Sequence, residues 1–156
     1  MDSGTPPRPL ATVGALVFND AGEGLFIKTH KWGGRWAVPG GKIDYGERMH
    51  TALLREFREE TGLALEDVRW APTLESVESD EFYKPAHFIL LNFTARTRTT
   101  DVTLNDEAQE HTWLTPEAAL EALDLNRATR ALTAYAAEHG HTGTLVEPDP
   151  GALESA

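Results

Sequence analysis

Cysteine is absent from the 156 residues, which excludes disulfide cross-links, thiolate metal ligands and a thiol nucleophile. Cations are scarce too: 14 Lys and Arg stand against 25 Asp and Glu, for a formal charge of −11. A chain so acidic has no general attraction for nucleic acid or for an anionic membrane surface. Any phosphorylated ligand must then be drawn in by a local cation site, because the overall field repels it. No apolar run approaches the ~18 residues of a membrane helix, and the opening MDSGTPPRPL has no hydrophobic stretch of the secretory kind. A soluble, cytoplasmic protein with no nucleic-acid or membrane partner is expected. With 40% apolar and 25% charged residues, composition is that of an ordinary globular domain, and the length suits one domain with a sizeable core.

Leu10 to Asn19 and Gly24 to Lys28 are β-rich runs separated by Asp20-Ala21-Gly22-Glu23, a turn composition that predicts a hairpin. Leu65 to Leu74 holds apolar runs broken by Pro72, His87 to Ala95 is the most sheet-like stretch, and His111 to Leu114 is a short final strand. Thr115-Pro116-Glu117 supplies an N-cap, a proline at the first helical position and an acidic first turn, predicting a helix through about Leu123. Asn126 is expected to cap a last helix ending near His139, before Gly140. Residues 1–9 are expected to be flexible, 10–140 to form the domain, and the Gly-, Pro- and acid-rich 141–156 to be a mobile tail. Helices interspersed with a mixed sheet indicate an α/β sandwich.

Residues 41 to 63, GKIDYGERMHTALLREFREETGL, carry the chemistry. At 100° per residue, Glu59 and Glu60 fall about 60° and 40° to either side of Glu56, so three carboxylates share one helix face. Like charges three and four apart cost roughly 0.2–0.5 kcal/mol per pair unless a cation sits among them. Carboxylate oxygens suit Mg²⁺ or Mn²⁺, and the missing cysteine argues against zinc. Leu53, Leu54 and Phe57 occupy the opposite face, suited to packing on a sheet. The helix is predicted from about Glu47 to Glu60. Gly62 stands just past it as a C-terminal stop. Before it, Trp36-Ala37-Val38 ends at Pro39-Gly40-Gly41, the composition of a strand stopped by a tight turn.

Gly41, five residues, Glu47, seven residues, then Arg55-Glu56-Phe57-Arg58-Glu59-Glu60-Thr61-Gly62-Leu63 resembles the signature box of the Nudix hydrolases at every fixed position. Phe57, where an aliphatic residue is usual, departs from the pattern in packing only. The resemblance implies the Nudix αβα sandwich with a mixed central sheet. It implies that Glu56 and Glu60 are metal ligands, that Glu59 binds a second cation or takes the proton from water, and that Gly41 supplies a carbonyl ligand. Arg55 would pair with Glu47 or with a box carboxylate and so hold the acids in place, with Gly40 and Gly62 as structural supports. A further base often lies outside the box in this family, and Glu107, six residues before Trp113, is the candidate, with Asp106 and Glu110 near enough to replace it.

Lys28, His30, Lys31 and Arg35 form the one basic cluster in this acidic sequence and suit a phosphate clamp, as does Lys42 inside the box. Trp32, Phe82, Tyr83 and Phe88 are candidates for stacking on a base, although packing is the simpler role for Phe88, Trp36 and Trp113. Asn126 suits either a base edge or the cap of the last helix. The implied reaction is Mg²⁺- or Mn²⁺-dependent hydrolysis of a phosphoanhydride in a nucleoside diphosphate linked to another moiety. Substrates of that class are nucleoside triphosphates and nucleotide sugars such as ADP-ribose or GDP-sugars, and the product is a nucleoside monophosphate. Two alternatives share the fold: a GDP-mannose-type glycosyl hydrolase, and a non-catalytic nucleotide-sensing module, which would be expected to lose box carboxylates. Isopentenyl diphosphate isomerase, a third relative, needs a cysteine. Exposed strands would permit a homodimer.

Overall fold

Leu10–Phe18 (β1) is apolar on both faces because both are covered. In the computed structural model, which describes residues 7–148, Val13, Ala15 and Val17 point into one core cluster, while Leu16 and Phe18 point into another. Alternation with period two along a strand buried on both sides produces an unbroken hydrophobic run. The other elements are β2 (Gly24–Thr29), a 3-10 turn (His30–Trp32), β3 (Arg35–Ala37), β4 (Gly40–Lys42), α1 (Met49–Thr61), β5 (Glu66–Trp70), β6 (Leu74–Val77), β7 (His87–Arg96), β8 (Glu110–Leu114), α2 (Pro116–Ala122) and α3 (Arg127–His139).

One eight-stranded sheet carries the order β3-β2-β1-β7-β5, with β4 also on β1, β6 on β7 and β8 on β2. β1 and β7 run parallel through nine residue pairs, from Leu10↔Phe88 to Phe18↔Arg96. The other pairings are antiparallel. α1 covers one face, burying Ala52, Leu53 and Phe57 against β1, β5 and β7. On the other face α2 and α3 bury Ala119, Leu132 and Ala136 against Leu16, Phe18 and Phe26. Full burial of Leu53 or Phe57 contributes about 1.5–3 kcal/mol each. This is the mixed αβα sandwich expected from the sequence.

The β1–β2 hairpin pairs at Phe18↔Gly24, and beyond that point the two strands diverge. β4 takes the vacated place beside β1, through Thr12↔Lys42, Val13↔Gly41 and Gly14↔Gly40. This splay opens the cavity described below. The apolar stretch around Pro72 resolves into β5 and β6, both on β7, with Ala71 N–H donating to the Asn92 carbonyl between them.

Two expectations need correction. α1 begins at Met49, not Glu47, and its N-cap Arg48 makes no side-chain capping bond. Glu47 is held outside because its carboxylate accepts from the Asp44 N–H (3.1 Å) and from Arg55, and a helical backbone would break that loop. The tail is not loose from residue 141 onward. Trp70 N–H donates to the Thr144 carbonyl and Val146 N–H to the Val68 carbonyl, so residues 141–146 lie along β5. His141 fixes the attachment through Thr94 Oγ1 at 2.7 Å and Asp67 Oδ2 at 3.0 Å. The rest of the predicted tail, 149–156, and residues 1–6 of the predicted flexible N-terminus lie outside the described residues.

Candidate active site

α1 presents its acids toward β4 because its apolar face is committed to the sheet. Gly41 makes that approach possible: a Cβ at this position would overlap the Glu56 carboxyl group. One residue earlier, the Gly40 N–H donates to Glu60 Oε2 at 2.9 Å. The helix ends at Gly62, whose φ of 74° is left-handed, with its N–H closing on the Arg58 carbonyl.

Arg55 ties the acids together. It grips Glu47 with two bonds, Nε to Oε2 at 2.7 Å and Nη2 to Oε1 at 2.8 Å. Nη1 reaches Glu56 Oε1 at 2.9 Å and Glu59 Oε2 at 3.3 Å, and Nη2 also donates to the Lys42 carbonyl. The hydrogen bonds from Arg55 hold the Glu47 carboxyl below the usual range, and those accepting carboxylates keep the guanidinium charged.

Glu60 is in the opposite situation. It is 5% exposed, and burial, then a hydrogen bond with Glu107, then the charges of Glu56 and Glu107 push its pKa up to about 9. Burial also raises Glu56, against the pull of Arg55. Glu60 is buried and Glu56 partly buried beside Arg55, and carboxyl groups that resist ionisation in this way are stabilised in their charged form by a cation placed among them. Among the described residues no three His, Cys, Asp or Glu side chains are drawn together as a finished cage.

Glu107 reaches this group from a loop. Thr103 N–H donates to the Thr61 carbonyl and Asn105 N–H to the Glu60 carbonyl, tethering the loop to the end of α1. Asn105 Oδ1 then accepts the Glu107 N–H at 3.0 Å. The Glu107 carboxylate meets Lys31 Nζ at 2.9 Å, and that bond is the main cause holding its pKa below the usual range. Glu60 thus keeps the proton in the metal-free protein, and Glu107 accepts from it.

Beside the acids lies a cavity of about 360 Å³ between β1, β4, β7 and the start of α3. Trp32, Phe82 and Phe88 form an aromatic side, with ring centroids 4.6 Å apart for Trp32–Phe82 and 5.0 Å for Phe82–Phe88. Thr12, Asn92, Asn126 and Thr129 add polar groups. Asn126 is spent on capping α3, accepting the Thr129 N–H at 2.8 Å. Asn92 Nδ2 donates to the Pro72 carbonyl at 3.1 Å, which fixes the amide and leaves Oδ1 as an acceptor on the Gly14 side of the cavity.

The basic residues singled out from sequence separate. Lys31 and Lys42 line the cavity. Lys28 does not, and its ammonium faces Glu110 at 3.7 Å; Arg35 is likewise outside, 3.4 Å from Glu81. Tyr83, 58% exposed, lines a neighbouring outer cavity. Asn92, Thr12 and Thr129 went unnoticed in the sequence, where a polar residue in a strand or helix gives no local sign that it faces a cavity.

The family model described as NUDIX domain matches residues 8–136. The nucleoside triphosphatase NudI of Enterobacter sp. (strain 638) is 39% identical over 103 residues, 62% of this chain and 72% of that protein. A MutT NUDIX hydrolase from Burkholderia pseudomallei has a TM-score of 0.68 at 25% identity, covering 82% of this chain and 98% of its own. The MutT protein from Methanosarcina mazei Go1 reaches 0.72 at 25% identity, covering 89% of this chain and 100% of its own. No helix among the described residues is long and apolar enough to cross a membrane.

Proposed function

The chain belongs to the Nudix family and is a Nudix hydrolase, and from that premise we propose that it is a Mg²⁺- or Mn²⁺-dependent pyrophosphohydrolase acting on nucleoside diphosphates linked to a further group, releasing a nucleoside monophosphate. The observation that carries this reading is the pair of carboxyl groups, partly buried Glu56 and buried Glu60, set against Gly41 and Gly40 at the edge of a cavity of nucleoside dimensions. Glu56, Glu59, Glu60 and the Gly41 carbonyl are the groups that would hold the cation. When bound, it would neutralise phosphate charge and acidify a water molecule.

The protein's own side chains do the rest. Arg55 holds Glu56 and Glu59 in place from its anchor on Glu47. Lys31 and Lys42 face the phosphates, and a phosphate that draws Lys31 away leaves the Glu107 carboxylate free to take the proton of the attacking water. Glu59, 57% exposed on its side chain, lies outside the cavity lining, so Glu107 is the better-placed base. The aromatic side and Asn92 Oδ1 receive the nucleoside. The acid set is intact, which favours hydrolysis over sensing.

A screen of nucleoside triphosphates, nucleotide sugars and dinucleotides with Mg²⁺ or Mn²⁺ tests the proposal. For nucleotide sugars and dinucleotides inorganic phosphate is read with and without alkaline phosphatase; for triphosphates, which alkaline phosphatase cleaves itself, it is read with and without inorganic pyrophosphatase. Phosphate that appears only with the coupling enzyme indicates a monoester or a pyrophosphate product; none on any substrate would overturn the reading. In ¹⁸O water, label in phosphate supports attack at phosphorus, and label in the sugar would support the glycosyl-hydrolase alternative.

A further inference from the structure

A second cavity, of about 560 Å³, adjoins the first and shares Lys31, Lys42, Phe82 and Phe88 with it. Phe82 forms part of the partition, packed at a tilt against Trp32 on one side and 4.8 Å from the Tyr83 ring on the other. Tyr83 N–H donates to the Lys31 carbonyl at 2.8 Å, which pins this segment beside the site, and Lys84 Nζ lies 5.3 Å from the Tyr83 ring centroid. Four cations line the outer cavity, Arg8, Lys31, Lys42 and Lys84, against one carboxylate, Glu78. Among the described residues Arg8, Lys42 and Lys84 make no ion pair with a carboxylate. In a chain of charge −11, such a local excess of positive charge favours an anion there, and much less a neutral sugar.

We propose that the outer cavity is a subsite for the leaving group, and that it selects a polyanionic one: the pyrophosphate end of a nucleoside triphosphate, in preference to the hexose of a nucleotide sugar. The inference rests on the function proposed above and narrows its substrate class. With the nucleoside in the inner cavity and the α-phosphate beside Glu56, the remaining phosphates extend past Lys42 toward Arg8 and Lys84. Water adds its oxygen to the α-phosphorus. The α–β bridging bond breaks with its electron pair on the pyrophosphate oxygen, and the proton of the water passes to Glu107 and then to solvent.

The test is kcat/KM for nucleoside triphosphates and for nucleoside diphosphate hexoses in the intact protein and in Arg8→Ala/Lys84→Ala. The intact protein is expected to favour the triphosphate by about tenfold or more, the effect of a lost charge-assisted contact. The double variant is expected to lose most of that ratio through the triphosphate. Lys28→Ala, outside both cavities, serves as the control and keeps the ratio. Equal losses on both substrates, or no loss, would overturn the subsite while leaving the pyrophosphohydrolase reading intact. Calorimetric titration with pyrophosphate and Mg²⁺ reads the subsite without turnover. Affinity should fall about tenfold in the double variant, and unchanged affinity overturns the subsite. If neither substrate is turned over by the intact protein, it is the proposed function that fails.

Discussion

Lys31 and Glu107, 76 positions apart in sequence, meet at 2.9 Å on the rim of the acid cluster. The lysine holds the glutamate ionised, and the same lysine is among the first cations an incoming phosphate would meet. A general base kept charged by a group that substrate recruits is a consistent arrangement for hydrolysis.

Glu107→Gln is therefore expected to lower kcat by about 10² or more, while Glu59→Gln has the smaller effect. Lys31→Met removes the bond that depresses the Glu107 pKa, so the acidic limb of the pH–rate profile should move to higher pH. Single-turnover rates near normal in Glu107→Gln would take the residue out of the role.

As the metal ligand proposed above, Glu60 would tie metal affinity to pH. Its folded-state pKa, about 9, lies above its ordinary value of 4.5. The folded protein binds the extra proton between those values, so this group's stabilising contribution is complete below about pH 4.5 and is lost as pH rises toward 9. The metal-free protein is thus expected to lose melting temperature between pH 5 and 9, and saturating Mg²⁺ should recover it. Metal affinity should rise over the same range with release of about one proton. Glu60→Gln keeps the hydrogen-bonding shape without the charge: it should melt higher than the parent at pH 8 without metal, yet lose activity. A parent whose EDTA-treated melting curve is flat with pH would contradict this.

Arg55→Lys keeps the charge but loses the fork that serves Glu47, Glu56 and Glu59 together. Activity at saturating nucleotide is expected to fall roughly tenfold or more, with a higher Mg²⁺ concentration needed for half-maximal rate. If excess Mg²⁺ leaves the deficit untouched and half-saturation is unchanged, Arg55 does not act through the metal ligands.

Asn92 presents a fixed acceptor to the inner cavity. Replacing it with Leu should raise KM for the preferred nucleotide about 10-fold, equivalent to one hydrogen bond of roughly 1 kcal/mol or slightly more, and flatten the preference among bases. An unchanged ranking of nucleotides would show that the base lies elsewhere.

His141 latches the end of the chain with its side chain 6% exposed. Burial lowers its pKa, against the opposing attraction of Asp67, so the fold prefers the neutral ring. Its contribution is complete above about pH 6.5 and declines as pH falls through the depressed folded value. His141→Ala is expected to cost about 1–3 kcal/mol at pH 8, with a smaller difference from the parent at pH 5, measured by urea unfolding. Equal differences at both pH values would show that protonation of this ring plays no part.

Sequence alone determined whatever is decided within a few turns of chain. The period of α1 set Glu56, Glu59 and Glu60 on one side and Leu53 and Phe57 on the other; Gly62 ended the helix, and Thr115 and Asn126 marked the caps of α2 and α3. The β-rich composition of Leu10 to Asn19 marked the strand β1. These features follow from local geometry and from which face must leave water.

Tertiary structure decided the rest, because the deciding partners are far apart along the chain. Lys28 and Arg35 stood beside Lys31 in the sequence with equal claim, yet β2 and β3 turned them toward Glu110 and Glu81, leaving Lys31 at the cavity. Asn92 gained its meaning only when β4 displaced β2 from the side of β1 and opened the space in front of it. His141, in a stretch whose composition signalled a loose tail, found Thr94 and Asp67 already in place on the sheet. A polar side chain's role depends on what surrounds it after burial, and that environment is fixed by the packing of distant segments.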